Sequence, residues 1–316
     1  MSIHFNLQGH RGARALHPEN TLPSFEAALD AGVSSIETDI HLTRDAVVVL
    51  CHDPFLCDPL YTLLTHSSTS ERGSESTPPL VSRLSLADVR GYRADGNPDP
   101  RHFPNQSAAV TPLAAWFAEQ HGLHPYGIPT LTELLQFTAA YAGEPGARAG
   151  KSEQQRQRAG MLGFDLELKR VPFHPETIDD RYDGTKPSLL EESIVEAVRR
   201  AGVASRTTVR SFDHRCVRLL RQMEPALTGA VLIAETAPVA PAELIERADA
   251  RVYCPSYVFL DEAIVRQVRE AGGRVLPWTV NEPEHWQRLL DWGVDGITTD
   301  VPDRLARYLE ERDIAF

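Results

Sequence analysis

Two hydrophobic patterns alternate along this chain. An amphipathic stretch with apolar residues three and four apart ends in glycine, and a short run rich in Val, Ile and Thr follows. The unit recurs as AALDAGVSSIET, AVRRAGVASRTTV, VREAGGRVLPWTV and LLDWGVDGITT. Gly32, Gly202, Gly272 and Gly293 each stand where a helix needs a left-handed residue beyond its last turn. The runs that follow read as buried strands. Helix and strand in alternation imply a parallel sheet covered by helices. The strand candidates are Phe5–Gly9, Ser34–Ile40, Leu162–Leu168, Thr207–Phe212, Thr228–Ile233, Arg251–Cys254, Arg274–Val280 and Gly296–Thr299. Eight strands predict an α/β protein built as a closed (β/α)8, or TIM, barrel. No GxGxxG follows the first strand, which argues against a dinucleotide fold.

Three segments break the rhythm. Val47–Cys51 follows Ile40–Thr43 across a tight Arg44-Asp45 turn, and so short a link can join only antiparallel strands. With the turn there, Thr43 pairs with Ala46, Asp39 with Leu50 and Glu37 with His52. Residues 54–127 are rich in Ser, Thr, Pro, Gly and His and are too long for an ordinary βα loop. They read as an insertion after the second strand, on the active-site face of one domain spanning 1–316. Gly143–Gly160 is polar and reads as a mobile loop on the opposite face, without a catalytic role. Arg170–Glu192 follows the third strand and returns to the active face.

Composition narrows the picture. The chain has 316 residues, 42% of them hydrophobic, enough for one large core. A net charge of -12 repels phosphate backbones and argues against nucleic acid as a partner. No apolar run approaches the roughly 18 residues needed to span a bilayer, and MSIHFNLQGHRG lacks the marks of a signal peptide. Four cysteines without CxxC spacing read as reduced, mostly buried thiols, and the expected location is cytoplasmic.

The candidate chemistry gathers at predicted strand ends. Glu37 and Asp39 lie two apart on a strand and point the same way. Two like charges at a barrel mouth need a cationic partner. The hairpin brings His52 beside them, since facing residues on paired strands stand about 5 Å apart at Cβ. On the third strand Asp165, Glu167 and Lys169 share a face, and Glu167 can reach an ion held by Glu37 and Asp39. Asp165 lies deeper and reads as a core residue. Three carboxylates without Cys or clustered His suit one Mg²⁺ or Ca²⁺ better than Zn²⁺. His10 and Arg11 emerge together from the first strand, offering a proton carrier and a planar fork for phosphate oxygens. Asn20 reads as the first helix's N-cap, and Asp300 with Asp303 as a capping pair for the last. Trp278 could wall a substrate. His4, His66, His102, His121, His124, His174, His214 and His285 read as surface or packing residues, although His102, His121, His124 and His174 lie in segments that could fold over the site.

At the level of motifs the chain resembles the glycerophosphodiester phosphodiesterase family. The likeness rests on GHRGARALHPENTLPSFEAALDAGVSSIETDIHLTRDAVVVLCHDP, IPTLTELLQF, FDLELK, Ser211-Phe212, PWTVN and GVDGITTDVP, in the family's order. The resemblance implies a TIM barrel that hydrolyses glycerophosphodiesters to sn-glycerol 3-phosphate and an alcohol. It implies His10 and His52 as the acid/base pair and Glu37, Asp39 and Glu167 as holders of a divalent cation. Arg11 and Lys169 would bind the phosphate. The chain departs from the family after His52-Asp53-Pro54, where FLCDPLYT opens a long atypical stretch. That leaves two other expectations open: a phospholipase D-like or lysophospholipase D-like hydrolase of lipid head groups, and a catalytically silent phosphate-binding protein.

Overall fold

The structure is a computed structural model describing residues 4–64 and 78–316. His66 and the central part of the 54–127 segment lie outside the described residues. Eleven strands are present among those described: β1 (Asn6–Gly9), β2 (Ser35–Leu42), β3 (Val48–Leu50), β4 (Tyr61–Leu63), β5 (Tyr92–Ala94), β6 (Gly163–Leu168), β7 (Thr207–Ser211), β8 (Thr228–Ile233), β9 (Val252–Pro255), β10 (Arg274–Val275) and β11 (Gly296–Thr299).

Eight of them form a parallel sheet in the order β10-β9-β8-β7-β6-β2-β1-β11. Backbone bonds from Asp295 N to Val275 O (2.9 Å), Val280 N to Thr298 O and Thr298 N to Pro277 O (both 3.0 Å) close the ring. The segment expected as a strand over 274–280 pairs regularly only at Arg274–Val275. Beyond it, Trp278 N bonds Pro255 O and the Trp278–Thr279 peptide is cis. A ring of parallel strands must return each connection along its outside, so helices sheath it. Their apolar faces bury Phe25, Phe137, Ile194, Val265, Trp286 and Leu305 against the strands.

The β2–β3 hairpin forms with a different register. Ile40 pairs with Leu50, His41 with Val49 and Leu42 with Val48. The reason is the loop. Thr43 N bonds Val47 O, Ala46 N bonds Thr43 O, and Ala46 sits at φ 60°, so three residues turn the chain where two were expected. Asp39 therefore lies level with Cys51, whose N–H it accepts at 3.2 Å. His52 stands just beyond the strand end, not opposite Glu37.

After the hairpin, β4 pairs antiparallel with β5. A separate cluster of Leu56, Leu60, Tyr61, Val81, Val89 and Ile128 packs there onto Val49 and Cys51. The helix Pro112–His121 returns to the barrel flank, where Phe117 meets Phe137 edge-on and His121 stacks on Phe117. Gly143–Gly160 is not a loop. It holds two short helices, Glu144–Arg148 and Glu153–Gly160, the second opened by a Ser152/Gln155 capping box. Lys151 between them anchors the segment, reaching the buried Glu26 at 2.6 Å and Asp30 at 2.8 Å. Its polar composition concealed local capping and one buried ion pair.

Candidate active site

The first βα turn begins the site. Arg11 adopts φ 53° and Gly12 φ 86°. A Cβ on Gly12 would lie 2.5 Å from Ser24 Oγ and 2.7 Å from Ser24 C, so only glycine allows the first helix this close. The turn directs Arg11 inward. Its N–H donates to Glu37 at 3.0 Å, and its guanidinium meets Glu19 at 2.7 Å and Asp39 at 3.2 Å.

Glu37, Asp39 and Glu167 converge from adjacent strands. In the β2/β6 register Asp39 faces Glu167, and Glu37 faces Asp165. One oxygen from each of Glu37, Asp39 and Glu167 lies within 4.8 Å of the other two, and all three residues are buried. Burial, with Asp39 and Glu167 alongside, pushes the Glu37 carboxyl up to about 8 even against Arg210. Asp39 pays the same desolvation, yet Arg11 and Lys169 hold it well below the usual carboxylate range. Glu37 Oε1 and Asp39 Oδ1 are shielded from solvent and accept no hydrogen bond. Their near neighbours are cations instead, Arg210 at 3.3 Å and Lys169 at 3.4 Å, and three buried carboxylates this close together fit a hard divalent cation. Lys169 Nζ lies 2.7 Å from Glu167 and 3.4 Å from Asp39, between the two strands that carry them.

The two histidines stand beside this cluster. His10 Nδ1 lies 2.6 Å from Asp300 Oδ1, and its Nε2 is 3.9 Å from Glu37 Oε2. Burial lowers the His10 pKa, and the Asp300 carboxylate opposes that only in part. Asp300 itself, despite burial, is held down to about 2 by His10, with Arg14 and Asn281 adding to the effect. His52 Nδ1 is 2.7 Å from Asp53, and its carbonyl accepts from His41 Nε2 at 3.1 Å. His52 is near enough that its charge acts on both Asp39 and Glu19.

Two structural assignments from sequence are corrected here. Thr21, not Asn20, caps the first helix, accepting from Ser24 N. Asn20 is buried at φ 55°; its amide donates to Asp39 Oδ2 at 2.9 Å and accepts from Thr38 Oγ1 at 2.7 Å. It orients a site carboxylate. The last helix, Pro302–Glu310, begins after Val301 without a side-chain cap, because Asp300 is engaged by His10 and Asn281. β1 pairs with β11 and His10 N bonds Thr299 O, so closure of the barrel makes His10 and Asp300 neighbours.

Glu19, Arg210 and Gln8 were assigned no role from the sequence. Glu19 gathers Arg11 and Arg14. Arg210 lies under the carboxylates, 3.3 Å from Glu37 Oε1 and 3.2 Å from Asp165 Oδ1. Gln8 ties Asp165 at 2.6 Å and accepts from Thr298 at 2.6 Å. Asp165 is thus a buried support, as its depth in the strand suggested. Trp278 stands over a small apolar cluster of Ala230, Leu232, Val252, Cys254 and Leu276. Its ring meets Phe212 edge-on at 5.9 Å and donates to Cys254 O at 2.9 Å.

Comparison with known proteins bears on the family and the fold. The model of the glycerophosphoryl diester phosphodiesterase family matches residues 10–304. A glycerophosphodiester phosphodiesterase from Bacillus altitudinis is 26% identical over 304 residues, covering 96% of this chain and 97% of its own. A Silicibacter pomeroyi DSS-3 crystal structure, of a candidate glycerophosphoryl diester phosphodiesterase, superposes with TM-score 0.78 at 26% identity, covering 100% of this chain and 96% of its own. An Oleispira antarctica phosphodiesterase in complex with the product sn-glycerol-3-phosphate shares the fold, with TM-score 0.64 at 20% identity over 96% of each chain. Among the described residues no helix is long and apolar enough to cross a membrane. With a family model spanning nearly the whole chain and the same barrel in its relatives, the chain belongs to the glycerophosphoryl diester phosphodiesterase family of phosphoric diester hydrolases.

Proposed function

We propose that this protein hydrolyses a glycerophosphodiester to sn-glycerol 3-phosphate and an alcohol, with one Mg²⁺ or Ca²⁺ held by Glu37, Asp39 and Glu167. The observation that carries the reading is the convergence of those three buried carboxylates beside two cationic side chains and two histidines. When bound, the divalent cation supplies a positive charge that favours negative charge building on phosphate oxygens.

The chain's own residues do the rest. Arg11 and Lys169 receive the phosphate oxygens, Arg11 through its planar fork and Lys169 as a point charge. His10 donates Nδ1–H to Asp300, which leaves Nε2 as the basic nitrogen on the Glu37 side. From there it takes the proton of the attacking oxygen. His52 donates Nδ1–H to Asp53, and as the imidazolium it gives its Nε2 proton to the departing alkoxide. Trp278 borders the space for the substrate's organic arm.

Purified protein assayed with glycerophosphocholine and glycerophosphoethanolamine tests the reading. Release of sn-glycerol 3-phosphate is expected, abolished by EDTA and restored by Mg²⁺ or Ca²⁺. No release from either ester, or full release in EDTA, overturns it.

A further inference from the structure

Eleven large hydrophobic side chains are exposed among the described residues, and their placement is lopsided. Ten stand on connections leaving the carboxyl ends of barrel strands. Four follow β2, three lie between β6 and the first residue of the next helix, one follows β7 and two follow β9. Only Met161 is on the connections at the opposite end. Single exposed apolar residues need no explanation, but concentration on one face of a protein does. Phe173 is the extreme case: it is 96% exposed and held at φ 70°, a backbone region that bulky side chains rarely occupy.

We infer that this rim docks the protein on a zwitterionic phospholipid surface, with Phe173, Val258 and Phe259 entering the layer and the barrel mouth facing its head groups. The inference rests on the phosphodiesterase reading. A phospholipid surface is an array of phosphodiesters, and the rim surrounds a site read as cleaving phosphodiesters. The apolar tips come from four separate connections around an open mouth. A lipid layer admits such tips one by one, whereas a protein partner needs a continuous complementary face of about 800 Å². Charge selects the kind of lipid. Between the tips the connection after β6 exposes Glu176, Asp179 and Asp183 as well as Arg181 and Lys186. The whole chain carries -12. An anionic surface calls for a cluster of basic residues; mixed signs suit zwitterionic head groups.

Flotation with phosphatidylcholine vesicles tests the docking, and hydrolysis of soluble glycerophosphocholine tests the underlying reading separately. The wild-type protein is expected to float with the vesicles. The double variant Phe173→Ser/Phe259→Ser should lose at least about tenfold in vesicle partitioning, the scale set by removing two aromatic rings from an apolar phase. Its kcat/KM on glycerophosphocholine should stay within about twofold of wild type, because neither ring touches the reacting groups. Met161→Ser should float like wild type. Failure of the wild type to float, or equal flotation of the double variant, overturns the docking even if hydrolysis is normal. Concentration-dependent self-association that the double variant abolishes would also overturn it, assigning the rim to a second copy of the chain.

Discussion

The two halves of the barrel mouth are built on opposite principles. Over β1, β2 and β6, buried charge is paired with buried charge: Arg11 with Glu19 and Asp39, Lys169 with Glu167, and Arg210 beneath with Glu37 and Asp165. Over β8 to β10 the lining is apolar, with Phe212, just past the end of β7, and Trp278 beside Ala230, Leu232, Val252, Cys254 and Leu276. The contrast follows from what each half must do. Convergent ligands have to come from neighbouring strands, since side chains must meet within a few ångströms, and buried like charges must be neutralised where they stand. An apolar wall carries no such constraint. The charged half should therefore be intolerant of substitution and the apolar half forgiving.

The largest expected effect tests that contrast directly. Replacing His10 or His52 by alanine is predicted to lower kcat on glycerophosphocholine by about 10²- to 10⁴-fold while far-UV circular dichroism stays unchanged. Near-normal turnover in either variant would remove that histidine from the chemistry. Next comes Asp300, which belongs to the charged half but touches no proposed ligand carboxylate. Its folded pKa of about 2 lies below the ordinary value, so it stabilises the fold above that ordinary value. The stabilisation is lost as the pH falls through about 2. Asp300→Asn should cost about 2 kcal/mol near pH 7, and the gap to wild type should shrink as the pH drops from 5 toward 2. Denaturant unfolding across that range measures it; a gap independent of pH would mean the carboxylate is not held down by its neighbours.

The apolar half should respond more mildly. Phe212→Ala is predicted to raise KM by about twofold to tenfold with kcat nearly unchanged, the pattern of a lost binding contact rather than a lost catalytic one. A fall in kcat as large as that of the histidine variants would erase the distinction between the halves. The smallest effect concerns the hairpin that delivers His52. Ala46 sits at φ 60°, so Ala46→Gly should stabilise the protein by about 0.5–1 kcal/mol in urea unfolding and leave activity unaltered.

Much of this molecule was legible before any coordinates. The glycine-terminated helices and the Val/Ile/Thr-rich runs after them located the eight barrel strands, because a period of 3.6 giving way to buried runs is a local property of the chain. The spacing of Glu37 with Asp39, and of Glu167 with Lys169, placed the charged pairs on shared faces for the same reason. The hairpin was legible but its register was not. One left-handed residue at Ala46 lengthened the turn and moved His52 past the strand end.

What only the tertiary structure decided are the relations between distant segments. Asp300 and Asn20 were read as helix caps because a capping residue is defined by its neighbours in sequence. Barrel closure instead set Asp300 against His10, 290 residues away, and folding of the first turn set Asn20 on Asp39. Arg210 carried no signal, and Glu19 stood in a motif without a role of its own, since a buried charge is recognisable only once its partner is in place. The sequence by itself determined where the barrel strands lie, the family likeness and which residues could do chemistry. The closing of the ring decided which of them meet, because periodicity acts within a few residues whereas hydrogen bonds and ion pairs depend only on distance in space.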